Sequence, residues 1–203
     1  MSDLHATNPP SPGTDRAPSC DVLVIGGGPA GSTVASLLAE KGHHVVLLEK
    51  ARHPRFHIGE SLLPANLPLF ERMGIADQIR AIGMHKPGAE FVSMDHGRAQ
   101  TFSFAEAWDR SMPAAYQVRR AEFDDILFRH ARAKGARAFE GVKVTGVEFL
   151  PGGGADVEAR DGDGQALRWH TRFVVDASGR DTFLGNRFRI KHRNPRHNSS
   201  AIY

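Results

Sequence analysis

The chain has 203 residues, of which 40% are hydrophobic and 24% charged, with 21 glycines and 12 prolines. That is the make-up of one ordinary globular domain, and no run of ~18 apolar residues offers a membrane-spanning helix. The formal charge of +3 comes from one short segment, where Arg187, Arg189, Lys191, Arg193 and Arg196 occur without an acid. A nucleic-acid surface needs a basic face spread over the fold, so the segment reads as a solvated tail or linker and no nucleic-acid partner is expected.

Residues 1–19 are polar and proline-rich, with no apolar run before Cys20, so they predict a disordered tail rather than a secretory signal. One cysteine excludes an internal disulfide framework, and a reducing cytoplasm is the expected compartment. Residues 20–203 are expected to form the folded domain.

Residues 21–25 (Asp-Val-Leu-Val-Ile) are a short run rich in β-branched side chains, which predicts a strand buried on both faces. Gly26-x-Gly28-x-x-Gly31 follows, then helical spacing over 32–41, a stop at Gly42, and a second buried strand over 44–48 closed by Glu49. This is a βαβ unit carrying a dinucleotide-binding fingerprint in its required context. Gly26 permits the tight turn, Gly28 lets a pyrophosphate approach the backbone, and Gly31 lets the helix pack on the sheet. Pro29, Ala30 and Ser32 open that helix, whose free N–H groups and partial positive charge favour phosphate. Glu49 is placed to accept hydrogen bonds from both hydroxyls of an adenosine ribose, and an acid there disfavours a 2′-phosphate. The fingerprint does not separate FAD from NAD.

Helical spacing returns over 64–83, and short antiparallel strands are expected over 84–117, where Phe91, Met94, Phe102, Phe104 and Trp108 are scattered among polar residues. A helix is predicted over 121–134, with Phe123, Ile126, Leu127 and Ala131 on one face. Four strands then follow, over 137–139, 142–150, 155–160 and 166–175. They read as a β-meander with glycine-rich hairpin turns. The expected class is α/β: a Rossmann-like βαβ domain, a β-meander, and the start of an inserted antiparallel substrate region drawn from 84–118 and 187–203.

Metal chemistry has little support. His53 and His57 are separated by Pro54, His192 and His197 lie in the basic segment without a carboxylate, and no His-Glu-x-x-His occurs. No metal site is expected.

Three blocks carry a family resemblance. Pro54-Arg55-Phe56-His57-Ile58-Gly59-Glu60-Ser61-Leu62-Leu63-Pro64 resembles the signature after the second strand of flavin-dependent halogenases, above all those acting on phenols and carrier-bound pyrroles. Val118-Arg119-Arg120-Ala121-Glu122-Phe123-Asp124 and Val174-Val175-Asp176-Ala177-Ser178-Gly179-Arg180 resemble two further blocks of that group, so the resemblance runs over 21–203.

It implies FAD as cofactor, and a reaction in which FADH2, dioxygen and halide yield hypohalous acid that a lysine directs onto an aromatic substrate. It also implies a separate flavin reductase, and a small phenolic or pyrrolic substrate, free or bound to a carrier protein. Lys86-Pro87-Gly88-Ala89-Glu90-Phe91 is similar to the stretch holding the family's lysine, which makes Lys86 the candidate catalytic residue. A haloamine needs a neutral amine, which burial among Ile82, Met84 and Phe91 would favour, whereas a hydrogen bond to hypohalous acid needs only the charged form. A lysine in an exposed loop is the alternative.

Ser61 either caps a helix or bonds the flavin, and Arg120 either reaches the pyrophosphate or sits on the surface. Val144 flanks the adenine if the resemblance holds. Asp176, at the carboxyl end of a strand, is either a ligand group or a turn residue. The family's Trp-x-Trp-x-Ile-Pro and late Gly-Asp blocks are absent from these 203 residues, which reads as the N-terminal portion, or a truncated gene product, of a larger enzyme; by itself it is expected to bind FAD weakly or not at all and not to turn over. Other readings of the same blocks are an FAD-dependent hydroxylase, a geranylgeranyl-reductase-like oxidoreductase, or a non-catalytic remnant.

Overall fold

The computed structural model describes residues 17–192 and 194–196. Its centre is a six-stranded sheet in the order β7 (Arg137–Glu140), β2 (Val45–Glu49), β1 (Ser19–Ile25), β10 (Ala166–Asp176), β9 (Ala155–Arg160) and β8 (Lys143–Phe149). Strand β1 runs parallel to β2 and to β10, and β2 runs parallel to β7. Strands β8, β9 and β10 form an antiparallel meander. Helix α1 (Pro29–Glu40) links β1 to β2, and α4 (Arg120–Ala133) leads into β7.

The sheet is buried on both sides because its strands are apolar at successive positions. Val22 and Val24 of β1, with Val45 and Leu47 of β2, meet Ala35 of α1 and Phe128 and Ala131 of α4. The alternate residues Leu23, Ile25, Val46 and Leu48 face the meander side, where Val144, Val157, Leu167 and Trp169 close a second core. Period-two alternation sends neighbouring side chains to opposite faces, so a run apolar at every position is covered by helices on one face and by the meander on the other.

Four expectations are corrected. Strand β7 does not join the meander. It follows a helix, and a helical crossover returns the chain parallel to the sheet, so β7 pairs with β2 at the far edge. The tail also ends earlier than residue 19, because β1 starts at Ser19 and the Pro18 carbonyl accepts the His170 N–H at 3.0 Å; residues 1–16 lie outside the described residues. The helical stretch over 64–83 is three pieces: a single turn (Pro64–Asn66), α2 (Leu67–Met73) and α3 (Ala76–Ile82). Gly74, at φ +74°, ends α2 in the left-handed region, where glycine costs least.

The short antiparallel strands expected over 84–117 are present, as two separate two-stranded sheets, and the fourth correction concerns only the surroundings of Lys86. Strand β3 (Met84–Lys86) pairs with β6 (Ala115–Gln117), and β4 (Gly88–Ser93) pairs with β5 (Arg98–Ser103). Their large apolar side chains face outward: Met84 is 73% exposed and Phe91 65%. They therefore do not wall Lys86. Helix α5 (Phe183–Arg187) takes in the first residue of the basic segment, and part of that segment lies outside the described residues. No helix among the described residues is long and apolar enough to cross a membrane.

Candidate cofactor site

The parallel strands β1, β2 and β10 end together, and the chain opens there into a cavity of about 460 Å³. This is the carboxyl edge of the sheet, where open α/β sheets hold ligands. The volume lies within the ordinary range of small-molecule sites, roughly 300–1,000 Å³.

Its floor is backbone. Gly26 turns at φ +101°, and a Cβ there would lie 2.5 Å from the Ala177 carbonyl oxygen. A Cβ on Gly31 would fall 1.9 Å from the Gly26 oxygen, so this position fixes how closely α1 meets the turn. Gly28 is the N-cap of α1, with no side-chain cap and no acid in the first turn. The first N–H groups of α1 are thus free to bind an anion entering from the cavity.

Glu49, 4% exposed, holds the turn from below. Its Oε2 accepts the Gly27 N–H at 2.7 Å and its Oε1 accepts the Ala51 N–H at 2.8 Å. Each oxygen keeps a second lone-pair site for a ribose hydroxyl. The Glu49 carbonyl accepts the Val142 N–H at 2.9 Å, which brings Val142 and Val144 against the cavity as its apolar flank, with the cationic Lys143 between them.

Of the candidate residues, Gly26, Gly28, Pro29, Ala30, Glu49, Arg120 and Val144 line the cavity. Gly31, Ser32 and Asp176 support it from behind. Ser32 Oγ donates to the Gly27 carbonyl at 3.1 Å. Asp176 acts as the turn residue: its carboxylate accepts the Ser178 N–H at 3.1 Å, the Ser178 hydroxyl at 2.5 Å and the Leu184 N–H at 2.7 Å. It shapes the Ala177–Gly179 wall without facing the ligand space.

Arg120 is committed within the protein. Its Nε and Nη2 donate to the two oxygens of fully buried Asp124 at 2.8 and 3.1 Å, and its Nη1 donates to the Ile58 carbonyl at 2.6 Å. It therefore anchors the 55–61 loop to α4 more than it reaches for phosphate. Ser61 caps no helix; it pairs with Gln117 in an isolated bridge and its Oγ accepts a hydrogen bond from Lys86 Nζ at 2.5 Å. Lys86, on β3, also stands 5.3 Å from the centre of the Phe104 ring, a cation–π distance. Lys86 and Ser61 are thus brought together, outside the cofactor cavity and joined to it through the loop that Arg120 holds.

Sequence reasoning missed Arg55, Asp124 and the rim. Arg120 and Asp124 stand four apart on a helix, a spacing that brings side chains together, and that signal was legible. Lys50 and Asp181 form an ion pair across the cavity mouth, both more than half exposed, so it contributes little to stability. His57 also lines the cavity; burial, then the Arg120 and Arg55 guanidiniums, hold its imidazole below the ordinary 6.5. Around the cavity Lys50, Arg55, Arg120, Lys143 and Arg180 outnumber Glu49 and Asp181, which suits a diphosphate.

A glycine cradle under a free helix end, an acid at the ribose position, an apolar flank and a surplus of cations together fit an adenine dinucleotide. The family model described as "FAD binding domain" matches residues 19–200. The chain belongs to that FAD-binding family.

Its relatives include flavin-dependent halogenases. It is 37% identical to the 1H-pyrrole-2-carbonyl-[peptidyl-carrier protein] chlorinase of Pseudomonas fluorescens, over 90% of this chain and 44% of the relative. It is 40% identical to a flavin-dependent halogenase of Armillaria mellea, over 86% of this chain and 35% of the relative. Among solved structures, the myxobacterial chondrochloren halogenase CndH superposes with a TM-score of 0.76 at 42% identity, covering 82% of this chain and 38% of that one. A flavoprotein/dehydrogenase from Cytophaga hutchinsonii gives a TM-score of 0.78 at 34% identity, covering 84% and 42%. The chain spans less than half the length of each of these relatives.

Proposed function

We propose that this chain is the FAD-binding part of a flavin-dependent halogenase that acts on a small aromatic substrate, phenolic or pyrrolic, free or carrier-bound. Bound FAD, delivered reduced by a separate flavin reductase in the cytoplasm, supplies the chemistry with dioxygen that turns halide into hypohalous acid. The chain's own residues bind and orient. The start of α1 and the cradle at Gly26, Gly28, Pro29 and Ala30 hold the diphosphate. Glu49 takes the adenosine ribose, and Val142 and Val144 cover the adenine.

Lys86 is the proposed catalytic residue. The observation carrying this is the 2.5 Å hydrogen bond from Lys86 Nζ to Ser61 Oγ, because it fixes an ammonium at one place on the loop that borders the cofactor cavity. Partly buried and hydrogen-bonded as a donor, Lys86 suits directing hypohalous acid by hydrogen bonding, while Met84 and Phe91 face outward.

The test is an assay of a full-length version of the enzyme with FAD, a flavin reductase, NADH, oxygen, bromide or chloride, and phenolic and pyrrolic acceptors, read by mass spectrometry. Lys86→Ala is expected to remove the halogenated product while FAD binding is unchanged. Wild-type halogenation by that variant would overturn the role of Lys86. A hydroxylase or reductase is the second reading, supported by the likeness to the Cytophaga hutchinsonii flavoprotein/dehydrogenase. Product formation with no halide present would favour it.

A further inference from the structure

Arg55 lines the cavity with its side chain 18% exposed, between two carboxylates. Its Nη2 is 3.5 Å from Glu49 Oε2 and its Nη1 is 3.3 Å from Asp124 Oδ2. These are charge contacts only: among the described residues nothing accepts a hydrogen bond from Arg55, and its Nε is buried without a partner. Arg120, one helix turn from Asp124, makes the contrast, since it spends its fork on both Asp124 oxygens and on a loop carbonyl. A buried guanidinium with unmade hydrogen bonds is costly, and it is relieved most by a planar or tetrahedral oxyanion that takes several N–H groups at once.

The position of Arg55 says which anion. A Cβ built on Gly28 would lie 3.7 Å from Arg55 Nη2, so the guanidinium stands over the N-cap of α1. Free backbone donors of the helix and free side-chain donors of the arginine therefore point into one space, and both favour negative charge. Asp124 and Glu49 hold the guanidinium there without using its hydrogen-bonding capacity.

We infer that Arg55 hydrogen-bonds the diphosphate of the dinucleotide, opposite the first N–H groups of α1, with Asp124 as its positioning residue. This rests on the FAD reading above and adds to it a residue outside the glycine cradle. The arginine discriminates phosphorylated from unphosphorylated ligands.

The experiment titrates the 203-residue chain calorimetrically with ADP, adenosine, FAD and NAD, as wild type, Arg55→Gln and Arg55→Lys. Arg55→Gln is expected to weaken ADP and FAD by about tenfold to a hundredfold, and adenosine by no more than about twofold. Arg55→Lys, which keeps a point charge but not the fork, is expected to fall between, and it carries the test if Arg55→Gln fails to fold by circular dichroism. Unchanged ADP affinity, or equal losses for ADP and adenosine, in either folded variant overturns the inference. NAD as a fourth ligand separates the two claims: a wild type that binds NAD more tightly than FAD sinks the FAD reading and leaves the arginine's assignment to the diphosphate in place. A wild type that binds none of ADP, NAD and FAD overturns both.

Discussion

The two ends of this chain's candidate chemistry are built differently. Around the cofactor cavity almost every polar group has a partner within the chain: Glu49 ties two N–H groups, Asp124 two arginines, Asp176 two residues of the following turn. Around Lys86 the structure is two thin two-stranded sheets, one of them a hairpin, and the large side chains of this region face outward, Met94 and Trp108 being almost wholly exposed. The cavity is made chiefly of backbone that a sheet edge and one helix end supply, and its lining residues fall between 25 and 183. The Lys86 region relies on side chains, and one hydrogen bond to Ser61 and one aromatic ring are what fix the ammonium.

The sharpest way to break this contrast is at the cradle. Gly31→Val puts side-chain atoms where even a Cβ would be 1.9 Å from a backbone oxygen, so the cooperative thermal unfolding transition is expected to vanish. A wild-type melting curve by circular dichroism would show that the turn is not close-packed. Next in size, Asp124→Ala leaves Arg120 and Arg55 without their shared carboxylate, and urea denaturation should register a loss of about 3–5 kcal/mol. A loss under about 1 kcal/mol would mean that the site is wetter than its burial implies.

A smaller effect comes from His57. Its imidazole is held below its ordinary 6.5 by burial and by the neighbouring guanidiniums, so the unfolded chain takes up the proton at a higher pH than the folded one. The His57 contribution is then complete above pH 6.5 and is lost as pH falls through 6.5 toward the lower folded value. His57→Gln should flatten that limb of a stability–pH profile; an unaltered limb would assign it to other groups. Smallest of all, Trp108→Ser and Met94→Ser should change stability by no more than about 0.5 kcal/mol, since neither side chain is buried. Larger losses would mean that this region is packed after all.

The same contrast explains what could be read from residues alone. Strands β1 and β2, α1 and the cradle were legible because continuous apolar runs, helical spacing and glycines at fixed offsets are local signals. The pairing of β7 was not, because alternation over 137–139 says strand but not which neighbour; the helix before it decides that. Gly74 was a visible stop inside 64–83, yet only its left-handed φ separates α2 from α3. Arg120 lines the expected cavity, while its carboxylate partner Asp124 shows in the sequence only as a four-residue spacing on one helix face. Arg55 stands inside the Pro54–Pro64 block, but its isolation is invisible there, because an unmade hydrogen bond is a property of three-dimensional packing.

The most direct test of the central claim is a nuclear magnetic resonance titration of the 203-residue chain with ADP, following backbone amide shifts. The account predicts saturable shifts concentrated at residues 26–30, 49–51, 142–144 and 177–181, which line one cavity. Shifts scattered over the strands of residues 84–117, or none at ADP concentrations that saturate other dinucleotide-binding folds, would contradict it.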